Sequence, residues 1–317
     1  MKITVLMSTY NGEKFLREQI DSILAQKYVN TFLSIRDDGS KDGTLNILQE
    51  YEKNENIKIS YGLQSGVGRS FMNLLFDDES DSDYYAFSDQ DDIWDDNKLF
   101  CAIKAIEESG DGAWLYVCNQ RCIDGSGRYI GNRFASDFPV QRLHNSLFVN
   151  LYAGCTMVFN RQLKDKICDK KRRPDISFFD HRIHDSWVAC VASLYNPIIY
   201  DYECHMSFRR HGNNETDAEI IRNAKGNKKI ELILFCRKLK RLFRKNKRHH
   251  SIELTALSLL NGYGDVLDYE NEHMLTIVSD YRKSINNKIV LLFSDYFRKG
   301  APEKKIDLFI KTILNIL

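Results

Sequence analysis

Asp89-Gln90-Asp91 stands at the end of the apolar run Tyr84-Tyr85-Ala86-Phe87. Two carboxylates one residue apart can hold a hard divalent cation such as Mg2+, and the cation can hold a diphosphate. Alone, an Asp-x-Asp step is a weak signal. Surface aspartates usually belong to solvated loops, and Asp77, Asp78, Asp81 and Asp83 read that way. The strand before 89–91 and the Ile93-Trp94 step after it set this cluster apart. A second cluster, Asp37-Asp38-Gly39-Ser40, follows Phe32-Leu33-Ser34-Ile35. It reads either as a turn leading to a helix cap, with Asp42 as the cap, or as a carboxylate placed to accept hydrogen bonds from a base N–H or a ribose hydroxyl. A third polar turn, Ser8-Thr9-Tyr10-Asn11-Gly12, closes the first apolar run.

These clusters need elements to hold them. Ile3–Met7, 32–35, 57–61 and 84–87 read as strands. Glu13–Gln26 (apolar at Phe15, Leu16, Ile20, Ile23 and Leu24), 42–51 and 70–76 read as helices. Strand and helix alternating at this pace imply right-handed crossovers and a largely parallel sheet. In such sheets the ligand crevice lies beyond the carboxyl ends of the strands, where all three polar clusters fall. The second half is less regular: strands are expected at 114–119, 152–159 and 198–200, and a helix at 185–194. From about residue 217 the chain reads as helical to its end.

Taken together, Ser8-Thr9-Tyr10-Asn11-Gly12, Asp37-Asp38-Gly39-Ser40-x-Asp42 and Ser88-Asp89-Gln90-Asp91-Asp92-Ile93-Trp94 resemble the family 2 glycosyltransferases of the GT-A fold, and among them the bacterial polysaccharide rhamnosyltransferases. The resemblance covers roughly residues 1–215. It implies an α/β, Rossmann-like, mostly parallel mixed sheet flanked by helices, and an inverting transfer from a nucleotide-diphosphate sugar with a divalent metal, Mn2+ or Mg2+. It places Thr9, Tyr10, Asn11 and Glu13 at the nucleotide base, Asp38 at the base or ribose, Asp89 at the donor ribose or sugar, and Asp91 on the metal. Gly66-Val67-Gly68 and Asn73 match a donor-side segment, with Gln64 where the family often has Asn; Arg69 there reads as either a phosphate contact or a solvated charge. The family's Glu-Asp step appears as His184-Asp185, so the base role passes to Asp185 alone; the plainer reading of Asp185 is a helix cap. His184 could orient an acceptor or simply pack. Arg209-Arg210-His211 matches an Arg-x-His segment in which Arg210 would meet phosphate and His211 the metal or diphosphate. Gly154 and Cys155 resemble a small-residue step beneath the acceptor, and Trp94 could stack on an acceptor sugar or sit in the core. Asp185 would take a proton from the acceptor hydroxyl as it attacks the anomeric carbon.

The resemblance points to L-rhamnose from dTDP-rhamnose, moved to a lipid-linked or growing cell-surface polysaccharide. UDP-hexose donors, or an inactive nucleotide-sugar-binding subunit, are the alternatives. An aspartyl phosphatase would carry its Asp-x-Asp after the first strand, and a nucleotidyltransferase would favour a Gly-rich basic first loop; neither is present.

At 317 residues the chain has room for about two domains, read as 1–215 catalytic and 216–317 a basic helical region. Hydrophobic residues at 43% and charged residues at 28% exclude a disordered chain, and no run of about 18 apolar residues marks a membrane span. The net charge of +1 points to no polyanion partner, and no aromatic-rich RNA or DNA module accompanies the basic residues, so no nucleic acid is expected. The 8 cysteines show no zinc-ligand spacing and read as reduced thiols in a cytoplasmic protein. Charge is nonetheless concentrated: twelve Lys/Arg against Glu231 lie between Arg222 and Arg248, around an apolar face of Leu232, Phe235, Leu239, Leu242 and Phe243. This reads as a helix lying on an anionic membrane surface, on the inner face of the cell membrane. A stripe at Ile306, Phe309, Ile310, Ile313 and Leu317 has the same character. Packing on the catalytic domain or in a homodimer is the alternative.

Overall fold

The first apolar runs are buried on both faces, as strands of a parallel sheet must be. In the computed structural model, which describes residues 1–134, 143–148, 152–211, 251–293 and 312, the elements in order are β1 (Lys2–Thr9), α1 (Leu16–Leu24), β2 (Asn30–Asp37), α2 (Thr44–Tyr51), β3 (Ile57–Tyr61), α3 (Val67–Phe76), β4 (Tyr84–Ser88), β5 (Ile93–Trp94) and α4 (Lys98–Glu108). Then come β6 (Leu115–Asp124), β7 (Tyr129–Asn132), α5 (Leu143–Phe148), β8 (Val158–Asn160), α6 (Arg161–Cys168), α7 (His184–Ala192) and β9 (Ile199–Arg210). Helices α8 (Ser251–Tyr263), α9 (Tyr269–Ser279) and α10 (Ile285–Phe293) follow.

Among the described residues the sheet has nine strands in the order β3-β2-β1-β4-β8-β6-β9-β5, with β7 paired to β6. The half β3-β2-β1-β4 is all parallel. The other half mixes antiparallel pairs with one parallel pair, β6–β9. The expected α/β, mixed, Rossmann-like sheet with helices on both faces is the fold found.

Alternation along the strands sends side chains to two cores. Ile3, Val5 and Met7 of β1 and Ala86 of β4 join Ile20, Ile23, Leu99 and Ile103 beneath α1, α2 and α4. Leu6, Tyr85 and Phe87 join the opposite core under α3 and α7. Ile252, Leu259, Tyr263, Met274, Leu275 and Val278 of α8 and α9 belong to that same core. Tyr263 lies 6.1 Å from Trp187, ring to ring, and donates from its hydroxyl to the Lys166 carbonyl at 3.0 Å. Arg172 holds Asp265 through two hydrogen bonds. The stretch 222–248, and the stripe at 306–317 apart from Thr312, lie outside the described residues.

One strand expectation fails. Residues 152–157 are not extended: Gly154–Thr156 is a single 3-10 turn, and only 158–160 pair as a strand. The turn brings Gly154 so close to His184 that a Cβ built on it would lie 2.4 Å from Nε2.

Candidate active site

Because β1, β2 and β4 are parallel neighbours, the loops after them leave one edge of the sheet. The register pairs Thr9 with Asp37 and Met7 with Ser88. Side chains then lace the loops together. Gln90 accepts at Oε1 from the Thr9 hydroxyl (2.6 Å) and the Tyr10 N–H (2.8 Å), and its Nε2 donates to the Tyr10 carbonyl (3.1 Å). Gly12 leaves room for this amide, since a Cβ there would lie 2.3 Å from Oε1. Asn11 takes a left-handed φ of 50°, which Asn tolerates, and its Oδ1 accepts from the Lys41 N–H at 2.8 Å. Glu13 accepts from the Gly43 N–H at 2.6 Å, at the start of α2.

The Asp37-Asp38 pair divides its work. Asp37 accepts from the Gly39 and Ser40 N–H groups, the turn half of the sequence reading. The buried Asp38 carboxylate accepts from the Ser65 N–H (2.8 Å), the Ser65 hydroxyl (2.7 Å) and the Gly66 N–H (2.9 Å). It therefore pins the segment that opens α3.

The acidic loop is completed from far along the chain. β5 pairs antiparallel with β9, Ile93 opposite Ser207, so the end of β9 runs back beside Asp91 and Asp92. His211 Nε2 lies 2.7 Å from Asp91 Oδ2, with both side chains largely covered. Phe15 packs against the His211 ring at 5.2 Å. Arg209, 2% exposed, donates from its backbone N–H to Asp92 and from Nε to the Asp91 carbonyl, and pairs with Glu18. Successive strand residues face opposite sides, so Arg210 is directed away from that contact. Its Nε is buried and makes no hydrogen bond among the described residues.

Asp92 is fully buried. Burial first, then the neighbouring charges of Asp91 and Asp89, push its carboxyl well above the usual range. Its Oδ2 makes no hydrogen bond among the described residues, and the Cys155 thiol lies nearby. Ligand atoms of Asp89, Asp92 and Cys155 lie within 4.8 Å of one another. Cys155 is a buried thiol that also accepts from Gln120, and a thiol suits a hard cation poorly. The carboxylate and imidazole of Asp91 and His211, already in contact, with Asp89 on the same loop, are a donor set that fits Mn2+ or Mg2+.

His184 opens α7 and is buried. Its ring stacks on Phe71 (4.0 Å) and meets Phe87 edge-on (4.8 Å). Asp185 sits inside the first turn of α7, 8% exposed, so it does not precede the helix as a cap would. Phe87 is two residues before Asp89, and Cys155 bridges Gly154 to Asp92. These contacts put His184, the residue before Asp185, beside the end of β4 that leads into the acidic loop.

Two sequence readings are corrected here. Trp94 is 3% exposed and the Lys98 ammonium sits 3.1 Å from its ring centre, so its face cannot stack on a sugar. Arg69 is not left to reach a phosphate: it forms a close ion pair with Asp180. Cys155, like Trp94, is buried and contributes to the floor, not to an open wall. Sequence reasoning missed Gln90, passed over as the middle of the Asp-x-Asp step, and Arg209 and Lys98. Trp94 ends β5 and Lys98 opens α4, so the ring–cation pair forms across the turn between them, and no sequence periodicity marks it.

A profile of glycosyl transferase family 2 matches residues 4–168. The chain is 34% identical over 230 residues to the dTDP-rhamnosyl transferase RfbG of Shigella flexneri, covering 69% of this chain and 76% of that one. It is 26% identical over 233 residues to an uncharacterized glycosyltransferase of Rickettsia prowazekii, covering 69% and 67%. The structure of S. aureus TarS 1-349 in complex with UDP-GlcNAc matches the fold with a TM-score of 0.60 at 17% identity, covering 99% of this chain and 82% of that one. This chain belongs to glycosyl transferase family 2, and its fold is GT-A.

Proposed function

We propose that the protein is an inverting, metal-dependent glycosyltransferase that moves L-rhamnose from dTDP-rhamnose to a lipid-linked or growing cell-surface glycan. The observation that carries the reading is the meeting of Asp91 with His211, 120 residues away, beyond the carboxyl end of β4. The donor assignment is supported by the similarity to the dTDP-rhamnosyl transferase of Shigella flexneri.

In this reading Thr9, Tyr10, Asn11 and Glu13, braced by Gln90, cradle the nucleotide, and Asp38 orders the Ser65-Gly66 segment beside it. Asp91 and His211, with Asp89 on the same loop, would hold the cation. When bound, a divalent cation supplies positive charge to the departing diphosphate. Arg210 lies on the opposite face of β9 from His211, so the leaving-group contact that the sequence suggested for it is not part of this reading. Asp185 accepts the proton of the acceptor hydroxyl as its oxygen bonds to the anomeric carbon and the bond to the diphosphate breaks. Inversion in one displacement requires a single base and no enzyme nucleophile. No helix among the described residues is long and apolar enough to cross a membrane. The basic stretch 222–248 supports peripheral attachment, near a lipid-linked acceptor.

The test is release of nucleoside diphosphate from dTDP-rhamnose and from UDP-hexoses, with and without Mn2+, using wild type and Asp185→Asn. We expect turnover of dTDP-rhamnose only with metal, and a loss of roughly 10²–10⁴-fold in Asp185→Asn with nucleotide binding retained. Turnover of UDP-hexoses alone overturns the donor. An undiminished Asp185→Asn overturns the base.

A further inference from the structure

Lysine is almost never fully buried unless paired, yet Lys98 is 0% exposed at the first residue of α4. Its Nζ donates to the Cys155 carbonyl at 2.7 Å and sits 3.1 Å from the centre of the Trp94 ring. No carboxylate forms an ion pair with it among the described residues; Asp92 and Asp89 act on it only through space. Burying a charge this way costs stability, and an apolar side chain of similar volume usually serves a core as well or better. The Lys98 charge therefore calls for another explanation.

The explanation lies in what Cys155 touches. Its carbonyl belongs to the 154–156 turn. Its thiol lies against Asp92, which is tied to Arg209 and so to the Asp91–His211 pair. The residue before it, Gly154, presses on His184, the neighbour of Asp185. A single turn thus spaces the acidic loop from the start of α7, and Lys98 is the group that grips it from behind.

We propose that Lys98 is a positioning residue for glycosyl transfer: through the Cys155 carbonyl it fixes the turn that sets Asp185 against the acceptor relative to the diphosphate site. The assignment rests on the reading of the protein as a glycosyltransferase with Asp185 as base. A small misplacement of the base costs rate out of proportion to its size, while nucleotide contacts on β1 and β2 are untouched.

The test is Lys98→Met, compared with Lys98→Gln, which keeps a donor for the carbonyl. Three quantities are measured on the full chain: melting temperature, affinity for dTDP with Mn2+, and transfer kinetics. The expected result for Lys98→Met is a melting temperature equal to or above wild type, dTDP affinity within twofold, and kcat for transfer at least tenfold lower. Lys98→Gln should recover part of that loss. Transfer by Lys98→Met within twofold of wild type overturns the proposal. So does a parallel fall of melting temperature, nucleotide affinity and transfer in both variants, which marks a structural role alone. An inactive wild type across the donor panel strikes the glycosyltransferase reading instead.

Discussion

His184 shows how packing sets the charge state of a side chain. Burial alone, with neither ring nitrogen hydrogen-bonded among the described residues, holds its imidazole down to about 3 from the usual 6.5. Between those values the unfolded chain binds a proton that the folded chain does not. Stability from this group is complete above pH about 6.5 and is lost as pH falls toward 3, at up to about 1.4 kcal/mol per unit. In chemical denaturation from pH 7 down to pH 4.5, wild type should lose more stability than His184→Gln. Parallel pH slopes would remove the explanation. The motif order revealed Asp185 as a candidate, but the fate of His184 depended on Phe71, Phe87 and Gly154, which lie far away in the chain.

At the scale of elements, the first half was legible because parallel strands buried on both faces read as apolar runs and the covering helices carry their apolar residues three and four apart. The segment 152–159 was misread because an apolar run with small residues suits a buried strand or a turn equally well. What decides it is the approach of His184 to Gly154, a contact that local pattern cannot contain. Gly154→Ala forces the new methyl group and the imidazole apart. Overpacking of this kind costs about 1–3 kcal/mol, and here it should also displace the first turn of α7 and lower transfer. Denaturation and kinetics on Gly154→Ala, His184→Ala and the double variant would check this: the double variant should regain stability relative to the sum of the two. Strict additivity would show that the two positions do not press on each other. Likewise the short β5 strand, only Ile93-Trp94, was invisible by length. Its antiparallel pairing with β9 is what delivers His211 to Asp91.

At the scale of the molecule, the helices after residue 250 are part of the main core, since Leu259, Tyr263, Leu275 and Val278 are buried with Trp187. A chain ending at residue 215 should expose that face, and we expect it to aggregate or to melt without a cooperative transition in calorimetry. Replacing Arg241, Arg244, Lys245 and Arg248 by Gln removes charge from the basic stretch and changes none of the core residues named above. This variant should melt like wild type and bind anionic vesicles far more weakly, at about 1 kcal/mol per charge removed. A cooperative, soluble 1–215 chain would contradict the packing; unchanged vesicle sedimentation would contradict the membrane role. The lacing of the loops was beyond reach from sequence, because Gln90 carries no signature of its own. Its amide is nonetheless a rivet joining the turns that follow β1 and β4, while Asn11 and Glu13 join the first of these to the turn that follows β2. On the proposed reading, in which these turns cradle the nucleotide, a lineage seeking a different donor base could not retune one of them in isolation. Such a change would have to arrive as a concerted replacement across all three, so drift at this end of the sheet is constrained even where no single residue touches the ligand.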